Sequence, residues 1–175
     1  GDGYTEQVKY AKLKDYSLSS YLDKNGDEVK KSNLVRRKYL LNDFYGGTIG
    51  AYYSSKSVKV AFGMAASNYT GIHYGQVLKM LDENYPNAVE NHEYYRNRGD
   101  KLDANAFAKV NWEILKGLSI YGDLQYRFVD YRLSGVNDED LGEINFYEQF
   151  HFFNPKAGIS YLNNGHNVYA TFAMA

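Results

Sequence analysis

Between Asn105 and Phe128 apolar and polar residues alternate with a period of two on both sides of Leu115-Lys116-Gly117, which makes an antiparallel hairpin the reading of this stretch. Ala106, Ala108, Val110, Trp112 and Ile114 are apolar, whereas Asn105, Lys109, Asn111 and Glu113 are polar, with Phe107 the one exception. Beyond the turn, Leu118, Ile120, Gly122, Leu124, Tyr126 and Phe128 alternate with Ser119, Tyr121, Asp123, Gln125 and Arg127. A connection of this length ending in glycine favours a type I turn plus bulge that pairs Ile114 with Leu118. The same register sets Trp112 opposite Ile120 and Lys109 opposite Asp123.

Two more hairpins follow the same logic. Asn164-Gly165 is the preferred dipeptide of a type I′ turn, so Asn163 faces His166, Tyr161 faces Val168, Ile159 faces Ala170 and Ala157 faces Phe172. A turn near Ser55-Lys56, with poorer turn chemistry, pairs Tyr53 with Val58, Ala51 with Val60 and Ile49 with Phe62. Across all three hairpins one face carries no charge. The other carries Lys59, Lys109, Glu113, Asp123, Arg127 and Lys156 among small residues.

Short turns at these three places alternate with long connections, expected over roughly 80–102 and 133–148, which is the asymmetry of outer-membrane barrels. Alternation stays clean for about nine to eleven residues from each short turn, the span of a tilted membrane strand. Aromatic residues make up 17% of the chain, and 19 of them are Tyr, a side chain suited to sheet faces and to membrane interfaces. Trp112, Tyr53 and Tyr161, near the short turns, fit an interfacial girdle. A soluble sandwich also alternates, but loop asymmetry and strands approaching about twenty residues favour the barrel. The expected fold is therefore all-β, an antiparallel meander of about six strands forming an incomplete segment of a transmembrane β-barrel. It occupies residues 34–175, with 1–33 a loop or a partial strand. Within that first stretch Thr5 to Leu13 fits a strand or a helical turn equally. About six strands fall short of the roughly eight at which membrane barrels begin, so the sequence is read as a piece of a larger barrel.

Chemistry is sparse. With 20 basic against 21 acidic residues there is no bias toward nucleic acid, and without cysteine there is no thiolate chemistry. No apolar run reaches the roughly 18 residues of a membrane helix. Asp23 to Glu28 imitates the start of a calcium loop, but Glu28 stands where glycine is needed, so the segment is read as a hydrated turn. His73, His92 and His151 are read as solvated, and Asn68-Tyr69-Thr70 as a chance sequon. No nucleophile motif, phosphate loop or acid pair calls for an enzyme, and no cofactor or metal is implied. The candidate binding patch is Tyr94, Tyr95, Arg96 and Arg98 in the first long loop, where aromatic rings and guanidinium groups suit an anionic aromatic iron chelate. Tyr69 and Tyr74 are weaker candidates.

Leu34-Val35-Arg36-Arg37-Lys38-Tyr39-Leu40-Leu41-Asn42-Asp43-Phe44-Tyr45-Gly46-Gly47 resembles a barrel strand of the TonB-dependent outer-membrane receptors of Bacteroidetes. Residues 65–75, Leu118 to Arg127 and Phe152 to Tyr161 are similar to later strands of that family, in the same order. The resemblance implies the middle of a barrel of about 22 strands. It also implies a receptor in the cell outer membrane that imports a scarce nutrient, a ferric siderophore or cobalamin, driven by TonB through a plug that is missing from this sequence. Partners would then be the nutrient, TonB and outer-membrane lipid. The uncharged face predicts that the isolated piece self-associates. A secreted β-sheet module binding carbohydrate through exposed tyrosines is the alternative function.

Overall fold

The computed structural model describes residues 2–174 and consists almost wholly of strands. They are β1 (Asp2–Lys12), β2 (Tyr21–Leu22), β3 (Glu28–Val29), β4 (Lys31–Ser54), β5 (Val58–Met80), β6 (His92–Leu115), β7 (Leu118–Val136), β8 (Glu143–Asn163) and β9 (His166–Ala173). One sheet of seven strands takes the order β1-β4-β5-β6-β7-β8-β9, and β2 with β3 makes a separate ribbon. The all-β antiparallel meander holds, with one strand more than the six read from alternation. That strand is β1, which pairs with β4 from Asp2↔Leu40 to Lys12↔Lys31 across a register shift between Val8 and Ala11. Among the described residues helical geometry is confined to a 3-10 turn at Leu13–Tyr16.

The hairpin registers test the turn chemistry. In β8–β9, Asn163↔His166, Tyr161↔Val168, Ile159↔Ala170 and Ala157↔Phe172 are paired as Asn164-Gly165 demands. Both turn residues have the positive φ of a type I′ turn, 50° and 82°. In β6–β7, Lys109 Nζ lies 3.6 Å from Asp123 Oδ2, and Gly122 faces the Val110 side chain, on the register expected there. The β4–β5 turn differs. Ser55 N–H donates to the Val58 carbonyl at 2.8 Å, so Val58 meets Ser55 rather than Tyr53. The slip is two residues, and because side chains alternate with a period of two, every residue keeps its expected face.

The long connections are shorter than expected. The strands β4 to β6 run for 24, 23 and 24 residues, and only 81–91 separates β5 from β6 and 137–142 separates β7 from β8. Residues 80–102 and 133–148 are expected as long connections, yet backbone pairing does not require an apolar face. A strand whose side chains form cross-strand ion pairs continues past its hydrophobic band.

By contacts the chain divides into two compact units, 2–43 with 69–100 and 132–147, and 44–68 with 101–131 and 148–174. The second unit holds all three short turns. Glu113 N–H donates to Ser57 O and Leu162 N–H to Gly117 O, both at 2.7 Å, so neighbouring hairpins are bonded turn to turn. Its apolar face leaves Ile49, Phe62, Met64, Trp112, Leu124, Ile159 and Phe172 exposed. Its other face carries Lys109–Asp123 and the Arg127–Asp103 pair.

The first unit holds the longer connections and the described core, Ala11, Tyr16, Leu34, Val77, Tyr94 and Tyr95. Residues 13–30 are tied onto it at several points. Leu13 N–H donates to Lys30 O, the Tyr21 hydroxyl donates to Asp82, and the His92 ring nitrogen lies 2.9 Å from Tyr16 O.

Candidate functional site

Tyr94 to Arg98 opens strand β6 instead of lying in a loop. Asn91 enters with a φ of 52°, and alternation is lost for one step, since Tyr94 and Tyr95 are consecutive and both buried. Room for the two rings comes from Gly75. A Cβ there would lie 2.3 Å from Tyr95 Cε1 and 2.7 Å from Tyr94 Cε1, far inside van der Waals contact. Tyr94 packs on Tyr16 with ring centroids 4.8 Å apart, and Tyr95 stands edge-on to Tyr94 at 5.0 Å. Neither ring is exposed, which differs from the solvent-facing pair expected in a loop.

Two cations share that buried side. The Arg36 guanidinium is bound to Glu6 at 2.6 Å, donates to the Tyr16 hydroxyl at 3.0 Å and sits 5.8 Å from the Tyr16 ring centroid. Lys38 pairs with Asp138, its Nζ 5.9 Å from the Tyr95 ring. Burial pushes the Tyr95 hydroxyl up to about 12 from its usual 10.0 and raises that of Tyr94 further. Tyr16 also rises through burial, against the opposing charge of Arg36. A phenol whose folded pKa is raised stabilises the fold fully below about pH 10 and loses that contribution as pH climbs through its folded value. Tyrosinate absorbance should therefore show a late group titrating with loss of the first unit's structure near pH 12. A titration in which every tyrosine ionises near pH 10 with the fold intact would contradict the packing.

Arg96 and Arg98 stand apart from the rings. Arg96 donates through Nε and Nη2 to Glu93 at 2.8 and 2.7 Å, and Arg98 through Nε and Nη2 to Asp100 at 2.7 and 2.9 Å. Thr70 donates to Asp100 at 2.7 Å, and the Arg96 guanidinium lies 4.2 Å from the Tyr74 ring centroid. Tyr74 stacks on Tyr39 at 4.4 Å with an interplanar angle of 6°, and Arg37 lies 4.8 Å from the Tyr39 ring. A run Arg37, Tyr39, Tyr74, Arg96 thus crosses three strands. On the neighbouring pair, Arg132 lies 4.8 Å from the Tyr147 ring.

The four candidates therefore divide. Tyr94 and Tyr95 belong to the core with Leu34 and Val77, whereas Arg96 belongs with Arg37, Tyr39 and Tyr74, and Arg98 with Asp100. Sequence reasoning missed Arg37, Tyr39, Arg132 and Tyr147. Counting in twos from the apolar positions of each strand would have placed them on a common side. The remaining candidates have plain structural roles. Tyr69 donates to Asn42 at 2.8 Å, and the His151 ring nitrogen lies 2.7 Å from the Tyr126 hydroxyl. Asp23 accepts N–H bonds from Asn25 and Asp27 at 2.8 and 2.9 Å, closing the β2–β3 turn with its own side chain. Among the described residues no three His, Asp or Glu side chains gather as metal ligands.

A meander of long antiparallel strands, with an uncharged face beside short turns and charged, tyrosine-rich ends beside the longer connections, is the build of an outer-membrane barrel wall. A family model described as TonB dependent receptor-like, beta-barrel matches residues 2–175, and the chain belongs to that family. Its place is the outer membrane, and the family is one of transport receptors that bind a nutrient and work with TonB. No curated protein and no solved structure matches the chain.

Proposed function

We propose that the receptor is of the Bacteroidetes kind that imports a scarce nutrient as an iron chelate or cobalamin, with an anionic ferric chelate the better fit. The observation that carries this reading is the pairing of cations with aromatic rings on one side of the first unit. Arg36 lies against Tyr16 and Lys38 against Tyr95. Rings and cations together suit a ligand that is both aromatic and anionic. Of the four residues expected to bind it, Tyr94 and Tyr95 shape this wall, while Arg96 and Arg98 are assigned no contact with the nutrient. In isolation and without lipid, the exposed apolar face of the second unit makes the sheet self-associate.

The test is equilibrium binding to the receptor in detergent, using an iron-loaded tris-catecholate and neutral cyanocobalamin as probes. Lys38→Gln should weaken the anionic chelate by about 1 to 3 kcal/mol, the loss of a charge-assisted contact, and Lys38→Arg should restore most of it. Lys59→Gln and the pair Arg96→Ala with Arg98→Ala should leave affinity unchanged. An unaltered chelate affinity in folded Lys38→Gln removes this wall from the site.

A further inference from the structure

The connection 137–142, between β7 and β8, reaches a residue three strands away. Sheet order puts β6 and β5 between β7 and β4, yet Asp138 pairs with Lys38 of β4, and Val136 and Leu141 pack against the core cluster. At about 4.8 Å per strand spacing, the reach from β7 to β4 is roughly 14 Å. Gly135 permits the turn inward. Its φ is 123°, and a Cβ on it would lie 2.3 Å from the Arg96 carbonyl oxygen, so glycine alone lets β7 press against β6 there.

The connection is bonded mainly to itself. Asn137 N–H donates to Gly142 O at 2.8 Å, Glu139 N–H to Asn137 Oδ1 at 3.2 Å and Gly142 N–H to Asp140 Oδ1 at 3.0 Å. Its ties to the rest of the first unit are the Lys38–Asp138 pair, the Leu141 side chain and, at its root, the Asn97 amide on Val136 O at 3.2 Å. A piece so built moves as one body when those few ties release. Docking it also carries two costs. Leu141 has a φ of 55°, a left-handed conformation that disfavours a leucine. The Tyr94 hydroxyl is buried without a hydrogen-bond partner among the described residues, and an acceptor oxygen brought in by a ligand would satisfy it.

We infer that 137–142 is an autoinhibitory strap in which the Asp138 carboxylate stands in for the ligand's anion on Lys38, so that Asp138 sets the affinity of this wall for anionic chelates. The inference rests on the ferric-chelate reading of the wall. Asp138 is the acidic partner described for Lys38, whose side chain is 19% exposed, and its charge also acts on the Tyr94 and Tyr95 hydroxyls. Arg36, on the same side of β4, is held by Glu6. An incoming anion therefore gains the Lys38 ammonium by replacing Asp138, and its apparent affinity is the intrinsic one scaled by the open fraction. A neutral ligand has no charge with which to displace a carboxylate from an ammonium, and leaves the strap closed.

The experiment measures equilibrium binding and amide exchange on the detergent-purified receptor, with the iron-loaded tris-catecholate and cyanocobalamin as probes. Asp138→Asn keeps the shape of the side chain and removes its charge. It should tighten chelate binding about tenfold, as expected when about a tenth of the parent is open, and leave cyanocobalamin unchanged. Amides of 137–142 in the parent should exchange faster once chelate is added, and those of Asp138→Asn should do so without it. Should that variant fail to fold, Leu141→Ala loosens the same strap without touching a charge and should give the same gain for the chelate. Unchanged or weaker chelate affinity in folded Asp138→Asn, with Lys38→Gln weakened, overturns the strap and leaves the chelate reading standing. Unaltered chelate affinity in Lys38→Gln removes that reading and the inference with it. An equal gain for cyanocobalamin overturns the strap, as does exchange in 137–142 that slows when chelate binds.

Discussion

Replacing Gly117 by valine lowers the stability of the receptor refolded into lipid vesicles by about 2 to 5 kcal/mol. The left-handed backbone contributes about 1 to 2 of this and overpacking about 1 to 3. Gly117 has a φ of 81°, and a Cβ on it would lie 2.2 Å from the Leu162 carbonyl oxygen. That obstacle is backbone and not the end of a flexible side chain. Leu162 N–H donates to Gly117 O at 2.7 Å, and Gly117 N–H donates to Glu113 Oε1 at 3.0 Å. A shift large enough to admit the side chain therefore disturbs the bonds joining β7 to β8 at the turn. Urea unfolding should show a lower midpoint with an unchanged slope. Gly122→Ala on the same hairpin is the control, because a Cβ there meets only Val110 Cγ1 at an ordinary 3.5 Å, and its effect should stay within about 0.5 kcal/mol. Equal stability of the valine variant and its parent would show that the turn is not built this way.

Truncating Leu34 to alanine costs the first unit about 2 to 5 kcal/mol, the range for a fully buried leucine whose cavity cannot collapse. Leu34 is 0% exposed and packs in one cluster with Ala11, Tyr16, Val77, Tyr94 and Tyr95. These residues come from strands and from the 3-10 turn, so the cavity loosens the grip on residues 13–30. Amide exchange in 13–30 should accelerate by roughly thirtyfold or more, the equilibrium equivalent of the lower bound. Leu22→Ala, at a side chain 67% exposed, should leave the same amides unchanged. Protection of 13–30 that survives Leu34→Ala would mean that the segment is held by its polar ties alone.

The two predictions fall on features of different legibility. Gly117 stands out in the linear chain because alternation runs cleanly up to it on one side and resumes on the other. Leu34 does not, since it opens a run read as one strand among several, and nothing local marks it as the centre of a core. The same contrast runs through the candidate site. The linear chain marks Tyr94 to Arg98 as a run of rings and guanidinium groups, and reading it as a loop puts all four residues on one exposed surface. Pairing with β5 and β7 turned the segment into strand, which turns Tyr95 away from Arg96, while the one lost step of alternation keeps Tyr94 buried with Tyr95.

What the linear order determined by itself is whatever depends on period and on turn chemistry. The antiparallel meander, the faces of β4 to β9 and the Asn164-Gly165 register follow from side chains that alternate and from glycines at positive φ. Even the two-residue slip at Ser55 left those faces intact, since a shift by a whole period changes partners and not sides. Tertiary structure alone decided the rest. That Asp2–Lys12 is a strand depends on β4 lying beside it. The burial of Tyr94 and Tyr95 depends on Gly75 leaving room across the ladder and on Tyr16 arriving from a distant turn. The pairs Arg96–Glu93 and Arg98–Asp100 were local enough to be found by spacing. The run Arg37, Tyr39, Tyr74, Arg96 was not, because its contacts join residues far apart in the chain, and only the hydrogen-bonded order of the strands makes them neighbours.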